Sequence, residues 1–303
     1  MDTRKIGSLD VSVVGIGCNN FGMRIDEAAT RAVVDAALDA GITLFDTADI
    51  YGGTKSEEYL GRALGTRRDR AIVATKFGAP LDDERKGASA AYVKRAVDDS
   101  LRRLGTDRID LYYAHVDDSS TPLEETLSAF DSLVREGKVR HIAASNFTAS
   151  RLEEALKIAS REGFARYAAL QPHYNLVDRE KYEVSLAEVV AAHGLACVPY
   201  FGLARGFLTG KYRQDSAVDS PRAAKASAHL DARGLAILAA LDEIAAAHET
   251  SVASVALAWL AAQPSVAAPI ASARNTAQLA ELLPMAQLQL SPTELAALAT
   301  ASA

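Results

Sequence analysis

The chain has 303 residues, a length at which α/β barrels often form one domain, and 49% of them are hydrophobic, so a sizeable core can be buried. The net charge is −6 at pH 7, and no run of like charge indicates a surface for nucleic acid. The only two cysteines, Cys18 and Cys197, are too few for a disulfide framework and favour a reducing compartment.

Two further features bear on where the protein works. A secretory signal has an apolar core, which is missing from the N-terminal segment MDTRKIGSLD. The longest apolar run, residues 252–262, is too short to cross a bilayer. We therefore expect a cytoplasmic protein with neither a membrane partner nor a nucleic-acid partner.

Short apolar or β-branched runs recur along the chain and predict β-strands. Residues 3–14 predict a hairpin, with Gly-Ser-Leu-Asp at its turn. Eight further strands are predicted at residues 14–17, 43–47, 71–76, 109–115, 140–145, 167–171, 196–200 and 268–271.

Longer amphipathic segments separate these strands and predict helices. They cover residues 26–40, 92–104, 123–136, 148–161, 182–193, 230–248 and 251–263. Gly41, Gly105 and Gly137 end three of them, because glycine readily adopts the left-handed conformation that stops a helix. Thr121 and Pro122 predict a cap followed by the first helical residue.

Strands that alternate with helices pair in parallel, and eight such units close a barrel, so the predicted fold class is α/β, a (β/α)8 TIM barrel. An open doubly wound sheet is the alternative, but residues 15–20 (GIGCNN) lack the third glycine of its phosphate loop. No linker is visible, and we expect residues 1–303 to form a single domain. The polar residues 209–229 predict a long loop, which in compact domains often serves as a lid or binds ligand.

Four polar side chains follow three adjacent predicted strands, where parallel barrels carry their functional groups. Asp46 and Tyr51 occur in FDTADIYG, Lys76 in AIVATKFG and His115 in IDLYYAH. An ammonium within about 4–6 Å lowers the tyrosine pKa from near 10 by roughly 1–3 units, so the phenol can exchange a proton near neutrality. Each residue alone could be structural, but the four together favour proton transfer to a carbonyl.

These motifs resemble the aldo-keto reductase superfamily over essentially the whole chain, together with ASNF at 144–147, LQPHYN at 170–175 and LARGFLTGKY at 203–212. The resemblance implies a barrel with an N-terminal β-hairpin capping its base. It also implies an oxidoreductase that interconverts an aldehyde or ketone and the alcohol, using NADPH, with NADH possible. By the same resemblance Tyr51 is the general acid and base, Lys76 tunes it, Asp46 orients Lys76, and His115 positions the carbonyl.

The resemblance also implies which residues bind the cofactor. Ser145, Asn146 and Gln171 would hold the nicotinamide carboxamide, and the nicotinamide would stack on Tyr200. The pyrophosphate loop would comprise Phe201, Gly202, Leu203, Arg205 and Lys211. The adenosine-phosphate site would comprise Ser272, Arg274, Gln278 and Glu281, with the Arg274 guanidinium and nearby backbone amides on a 2′-phosphate.

The substrate pocket is expected to contain Asn19, Phe21, Gly78, Val116 and Asp117. Asn19, Gly78 and Asp117 would make its mouth roomy and polar, which favours a hydrophilic carbonyl substrate.

Two other functions remain open at this stage. Some barrels of this superfamily are nucleotide-sensing regulatory subunits with little turnover, although the four catalytic residues kept here favour an enzyme. A metal-dependent barrel using His115 and Asp117 is the third possibility, and no other histidine follows a strand at a similar place.

Overall fold

The computed structural model describes residues 1–213 and 223–303 of the chain. It begins with an antiparallel hairpin of β1 (Thr3–Ile6) and β2 (Leu9–Ser12), in which Ile6 pairs with Leu9. Gly7 occupies the turn with φ +57°, a left-handed conformation that glycine adopts without steric cost. The predicted hairpin is confirmed, with a turn shorter than the four residues expected.

Eight parallel strands follow, and they coincide with the eight predicted runs. They are β3 (Gly15–Gly17), β4 (Leu44–Asp46), β5 (Ile72–Phe77), β6 (Ile109–Ala114), β7 (Val139–Ser145), β8 (Tyr167–Gln171), β9 (Ala196–Cys197) and β10 (Ile270–Ala271). They pair in chain order from β3 to β9, and β10 pairs with β3. Between β9 and β10, Ala267 N donates to Cys197 O at 2.8 Å and Ile270 N donates to Pro199 O at 3.1 Å. The fold is therefore the predicted (β/α)8 barrel.

The hairpin covers the end of the barrel where the strands begin. Ile6, Leu9 and Val11 share one buried cluster with strand residues such as Leu44 and Ala74. Strand side chains alternate between the two faces of a sheet. The residue two positions after each strand residue of this cluster therefore also points into the barrel, nearer its mouth. These are polar on four strands, namely Asp46, Lys76, Ser145 and Gln171, and all four are buried. The barrel is thus apolar at its base and polar at its mouth.

Helices surround the strands. Those in the described parts of the chain are α1 (Glu27–Asp39), α2 (Lys55–Leu64), α3 (Ala90–Leu104), α4 (Leu123–Arg135), α5 (Ala149–Glu162), α6 (Glu180–Glu183), α7 (Leu186–Ala192), α8 (Ala223–Ser227), α9 (Ala232–Ala247), α10 (Val252–Ala261), α11 (Thr276–Leu282) and α12 (Pro292–Ala301). The predicted helices agree except that residues 182–193 are divided into α6 and α7. Pro122, not Thr121, holds the N-cap position of α4 and provides no side-chain cap. The sequence analysis did not predict α2, α8 or α12.

The polar segment 209–229 follows a 3-10 turn at Ala204–Thr209. It includes the short helix α8, and residues 214–222 lie outside the described part of the chain. No single described helix has the length and apolar character needed to cross a membrane, and only α9 and α10 taken together, across a 99° bend, reach those limits.

Candidate active site

A cavity of about 610 Å³ opens where the barrel strands end. Most of the predicted site residues line it: Asn19, Asp46, Tyr51, His115, Ser145, Asn146, Gln171, Tyr200, Phe201, Gly202, Leu203, Arg205, Lys211, Ser272, Arg274, Gln278 and Glu281. The structure therefore brings together residues that are up to 262 positions apart in the chain, from Asn19 to Glu281.

Asp46 and Lys76 form a buried ion pair beneath this cavity. The Lys76 ammonium also donates to Thr47 O at 2.7 Å, and Gln171 Nε2 donates to Asp46 Oδ2 at 2.8 Å. Burial alone would lower the pKa of Lys76, but the Asp46 carboxylate and Tyr51 together outweigh it and the pKa is raised. Lys76 is thus held as a fixed positive charge.

Tyr51 lies over this ion pair, with the Lys76 nitrogen 5.2 Å from the centre of its ring. Burial raises the pKa of the phenol above its usual value, although the charge of Lys76 opposes that shift. The prediction that lysine brings this pKa close to neutrality is wrong here, because removing water from the phenolate outweighs the attraction of the ammonium. The phenol therefore stays protonated at neutral pH, the form in which it can donate a proton.

His115 stands beside Tyr51, with the two ring centres 5.9 Å apart and the planes at 83°. Burial, and secondarily the charge of Lys76, lowers the pKa of His115 to about 3, so its imidazole is neutral. Its Nδ1 is buried and has no hydrogen-bond partner among the described residues. A neutral imidazole can donate to or accept from a polar ligand group placed next to Tyr51.

Asn146 joins the two sides of the site. It has φ +57°, and its Nδ2 donates to His115 O at 2.8 Å and to Ser145 Oγ at 3.2 Å. Its Oδ1 accepts a hydrogen bond from the Tyr200 hydroxyl at 2.8 Å, which fixes the Tyr200 ring across the mouth. Ser145 Oγ in turn donates to Gln171 O at 3.0 Å.

The loop after Tyr200 has a strained backbone. Three non-glycine residues, Phe201, Ala204 and Arg205, have φ of 56°, 46° and 58°. The left-handed region costs such residues energy, and strain of this kind gathers at ligand sites. The buried Asn175 helps to hold the loop, because its Nδ2 donates to Phe201 O at 3.0 Å.

Cations surround the far part of the cavity. Arg205, Lys211 and Arg274 line it, and none of them forms an ion pair within the described part of the chain. Arg205 instead lies 4.6 Å above the centre of the Phe201 ring. Unneutralised charges converging on one cavity suit a polyanionic ligand.

Arg274 immediately precedes Asn275, which is the N-cap of α11. Arg274 N donates to Gln278 Oε1 at 3.0 Å, and Gln278 N donates to Asn275 Oδ1 at 2.9 Å. These two backbone amides are therefore already bonded within the chain. The contact of the exposed Arg274 guanidinium and the remaining amides of this turn with a 2′-phosphate stays a prediction.

The predicted substrate pocket is only partly assembled. Asn19 lines the cavity, and its Oδ1 accepts from Ser272 Oγ at 2.8 Å. Phe21, Gly78, Val116 and Asp117 do not line it. Phe21 is fully buried in the core. Asp117 is bound by Arg151 through contacts of 3.0 and 3.1 Å, so its charge is already neutralised. Two of the three residues that favoured a hydrophilic substrate thus lie elsewhere.

Sequence reasoning also missed residues that line the cavity, namely Gly17, Asn20, Arg24, Gly206, Thr209, Ala253, Ile270, Ala271 and Leu282. Asn20 and Arg24 belong to the loop after β3 and hydrogen-bond to each other at 3.2 Å. The rule that strand ends carry function could have found them. Ala253 lies on α10, far from any strand end, and no sequence signal marked it.

No group of three or more histidine, cysteine, aspartate or glutamate residues within ranges 1–213 and 223–303 could hold a metal ion.

Comparison with known proteins identifies the family. The model of the aldo/keto reductase family matches residues 13–303. The uncharacterized oxidoreductase YrpG of Bacillus subtilis (strain 168) is 34% identical, covering 93% of this chain and 89% of that protein. A probable voltage-gated potassium channel subunit beta of Oryza sativa subsp. japonica is 32% identical, over 86% and 83%. Aldo-keto reductase yakc (NADP(+)) of Schizosaccharomyces pombe is 32% identical, over 92% and 85%. The chain therefore belongs to the aldo/keto reductase family of oxidoreductases.

Proposed function

We propose that this protein is an NADP-dependent carbonyl reductase that interconverts an aldehyde or ketone and the corresponding alcohol, with Tyr51 as the proton donor. The observation that carries the proposal is the position of the Tyr51 phenol, which lies over the Asp46–Lys76 ion pair and beside the ring of His115. A phenol, an ammonium and a neutral imidazole at one point can polarise and protonate a carbonyl oxygen.

Tyr51 would donate its proton to the carbonyl oxygen as charge develops there. Lys76 would stabilise the phenolate left behind, because its ammonium is held fixed by Asp46 and Thr47 O. His115, neutral over the physiological range, would hydrogen-bond the same oxygen and set its position. Burial of Lys76 strengthens its field at Tyr51, since water screens it less.

The residues around the cavity fit a dinucleotide cofactor. Arg205, Lys211 and Arg274 offer unneutralised charge to its phosphates, and the name of the fission-yeast relative includes NADP(+). When bound, NADPH would supply the hydride. Arg274 would bind the 2′-phosphate, with NADH as the weaker alternative.

The other cofactor contacts follow the same arrangement. The nicotinamide amide would be held by Ser145, Asn146 and Gln171, and its ring would lie on Tyr200. The pyrophosphate would meet Phe201, Gly202 and Leu203 beside Arg205 and Lys211, and the adenosine end Ser272, Gln278 and Glu281. The hydrogen bond from Tyr200 to Asn146 supports the assignment, because it orients both groups before any ligand binds.

We further propose that the chain forms one domain. The hairpin at residues 3–12 packs on the barrel base, and the family match covers the remainder.

The test is a panel of aldehydes, ketones and alcohols assayed with NADPH and NADH, using the wild type and Tyr51→Phe. Turnover that needs Tyr51 and prefers NADPH supports the proposal. Turnover that is equal in Tyr51→Phe would contradict the role of Tyr51.

A nucleotide-sensing regulatory subunit is the second candidate, because the rice relative is named as a probable potassium channel subunit beta. The two functions differ in rate. A regulatory subunit would bind NADPH tightly. Its turnover rate with every carbonyl in the panel would be far lower than its rate of cofactor binding.

A further inference from the structure

A second buried ion pair lies on the outer side of the strands that carry the catalytic groups. Glu57, in the first turn of α2, accepts from Arg103 Nε at 2.6 Å, and the two side chains are 0% and 9% exposed. The other oxygen of Glu57 accepts from Thr75 Oγ1, also at 2.6 Å. None of these three residues lines the cavity.

Thr75 immediately precedes Lys76 on β5. Side chains alternate along a strand, so Thr75 points outward to Glu57 while Lys76 points inward to Asp46. The strand at Lys76 is thereby held from both faces.

The same first turn of α2 also holds Tyr51. Ser56, the neighbour of Glu57, donates its backbone N–H to Tyr51 O at 3.2 Å. Ser56 Oγ donates to Cys18 O at 2.9 Å and lies 2.8 Å from Thr47 Oγ1. Thr47 O is the carbonyl that accepts from Lys76 Nζ. The start of α2 therefore touches both the backbone that carries Tyr51 and Thr47, the residue after β4 whose carbonyl binds Lys76.

Gly61 explains how Arg103 reaches Glu57. A Cβ at Gly61 would lie 2.3 Å from Leu104 O, so only glycine lets α2 approach the end of α3 this closely. Arg103 stands in the last turn of α3, and its Nη2 also donates to Ser100 Oγ at 3.2 Å.

We propose that Glu57, braced by Arg103 and bonded to Thr75, is a positioning residue that sets the distance between the Tyr51 phenol and the Lys76 ammonium. The inference rests on the proposed roles of Tyr51 and Lys76. A buried ion pair contributes little net stability, because the cost of removing two charges from water offsets their attraction. Its effect here is positional, since it ties the helix that follows Tyr51 to the strand that carries Lys76.

The test compares Thr75→Val with Thr75→Ser. Valine removes the hydroxyl but keeps the shape and leaves the Glu57–Arg103 pair intact, whereas serine keeps the hydroxyl. In Thr75→Val we expect kcat to fall roughly 10-fold, because small misplacements of catalytic groups are costly. The limb of the pH profile that depends on Tyr51 should move upward, and NADPH binding should be unchanged. Thr75→Ser should behave like the wild type.

Glu57→Gln is the second variant, and Asp110→Asn is its control. Asp110 forms a similarly buried ion pair with Arg68, at 2.7 Å. It lies at the start of β6, and His115 follows the other end of that strand. Both variants should lower the melting temperature, but only Glu57→Gln should lower kcat and shift the pH profile. Two results together would overturn the inference. Glu57→Gln and Asp110→Asn would lower the melting temperature equally without changing kcat, and Thr75→Val would keep the kcat and pH profile of the wild type.

A measurement without turnover separates this inference from the proposed function. The NMR shift of the hydroxyl-bearing ring carbon of Tyr51 responds to the neighbouring ammonium, and Tyr51→Phe identifies the signal. Thr75→Val and Glu57→Gln should move it part of the way toward its value in Lys76→Met, whereas Asp110→Asn should leave it unchanged. If the wild type reduces no carbonyl, the proposed function fails while this shift still decides the positioning role. An unmoved signal in both variants would refute that role.

Discussion

Replacing Asp49 with asparagine should stabilise the protein, and the gain should grow as the pH rises from 5 to 7. Asp49 is 1% exposed, and neither of its carboxylate oxygens has a hydrogen-bond partner within the described residues. Burial, and secondarily the charge of Glu57, raises its pKa to about 8. An asparagine of the same shape avoids this buried carboxyl altogether.

The sign and size of the effect follow from proton linkage. In the unfolded chain this carboxyl ionises near pH 3.8, and in the folded chain near pH 8. Between these values the native state holds a proton that the unfolded state has released, so the free energy of unfolding falls as the pH rises. The slope is about 1.36 kcal/mol per pH unit, which amounts to about 2.7 kcal/mol between pH 5 and pH 7. Below pH 3.8 and above about pH 8, the contribution of Asp49 to the free energy of unfolding no longer changes with pH.

Urea unfolding of the wild type and Asp49→Asn at a series of pH values measures this difference directly. Asp118→Asn is the matched control. Hydrogen bonds from Ser120, Thr121 and Ala88, which outweigh its burial, lower the pKa of Asp118 to about 2. The stability that Asp118 contributes is lost only as the pH falls below about 4. The difference in free energy of unfolding between Asp118→Asn and the wild type should therefore stay constant from pH 5 to 7. A constant difference for Asp49→Asn over that range would refute the reasoning.

The remaining predictions concern catalysis and cofactor. Tyr51→Phe should lower kcat by about 10²–10⁴-fold while NADPH still binds, and activity within a few-fold of the wild type would contradict it. Lys76→Met should cause a similar loss and raise the pKa of Tyr51 further, seen as an upward shift of the pH profile that an unchanged profile would disprove. Arg274→Ala should weaken NADPH binding by about 1.5–3 kcal/mol in titration calorimetry and leave NADH nearly unaffected; equal losses would point to another role. Lys211→Ala should raise the cofactor dissociation rate more than it lowers the single-turnover rate, and NADPH should protect residues 209–229 from protease, whereas equal proteolysis would indicate a passive connection.

The sequence alone determined the strand framework and the strand-end chemistry. Apolar runs of a few residues separated by amphipathic segments predicted the eight barrel strands, because alternation and length are local properties of the chain. The positions of Asp46, Lys76 and His115 at strand ends then placed them at one mouth, since all parallel strands of a barrel end on the same side. Helix α2 escaped notice because it begins directly after the glycine turn at Gly52 and Gly53 and carries Gly61 in its middle, a residue that normally disfavours helix.

Only the tertiary structure decided which strand-end residues face the cavity and how their charges behave. Phe21 and Asp117 have the same local signature as Asn19, yet one enters the core and the other pairs with Arg151. Likewise, the presence of a lysine near Tyr51 does not settle the pKa of its phenol. That value depends on how far burial outweighs the ammonium, and burial is the sum of many contacts from distant parts of the chain. The positioning pair of Glu57 and Arg103 joins residues 46 positions apart. Such pairings depend on which helices lie side by side around the barrel, a property of the closed fold that no local stretch of sequence contains.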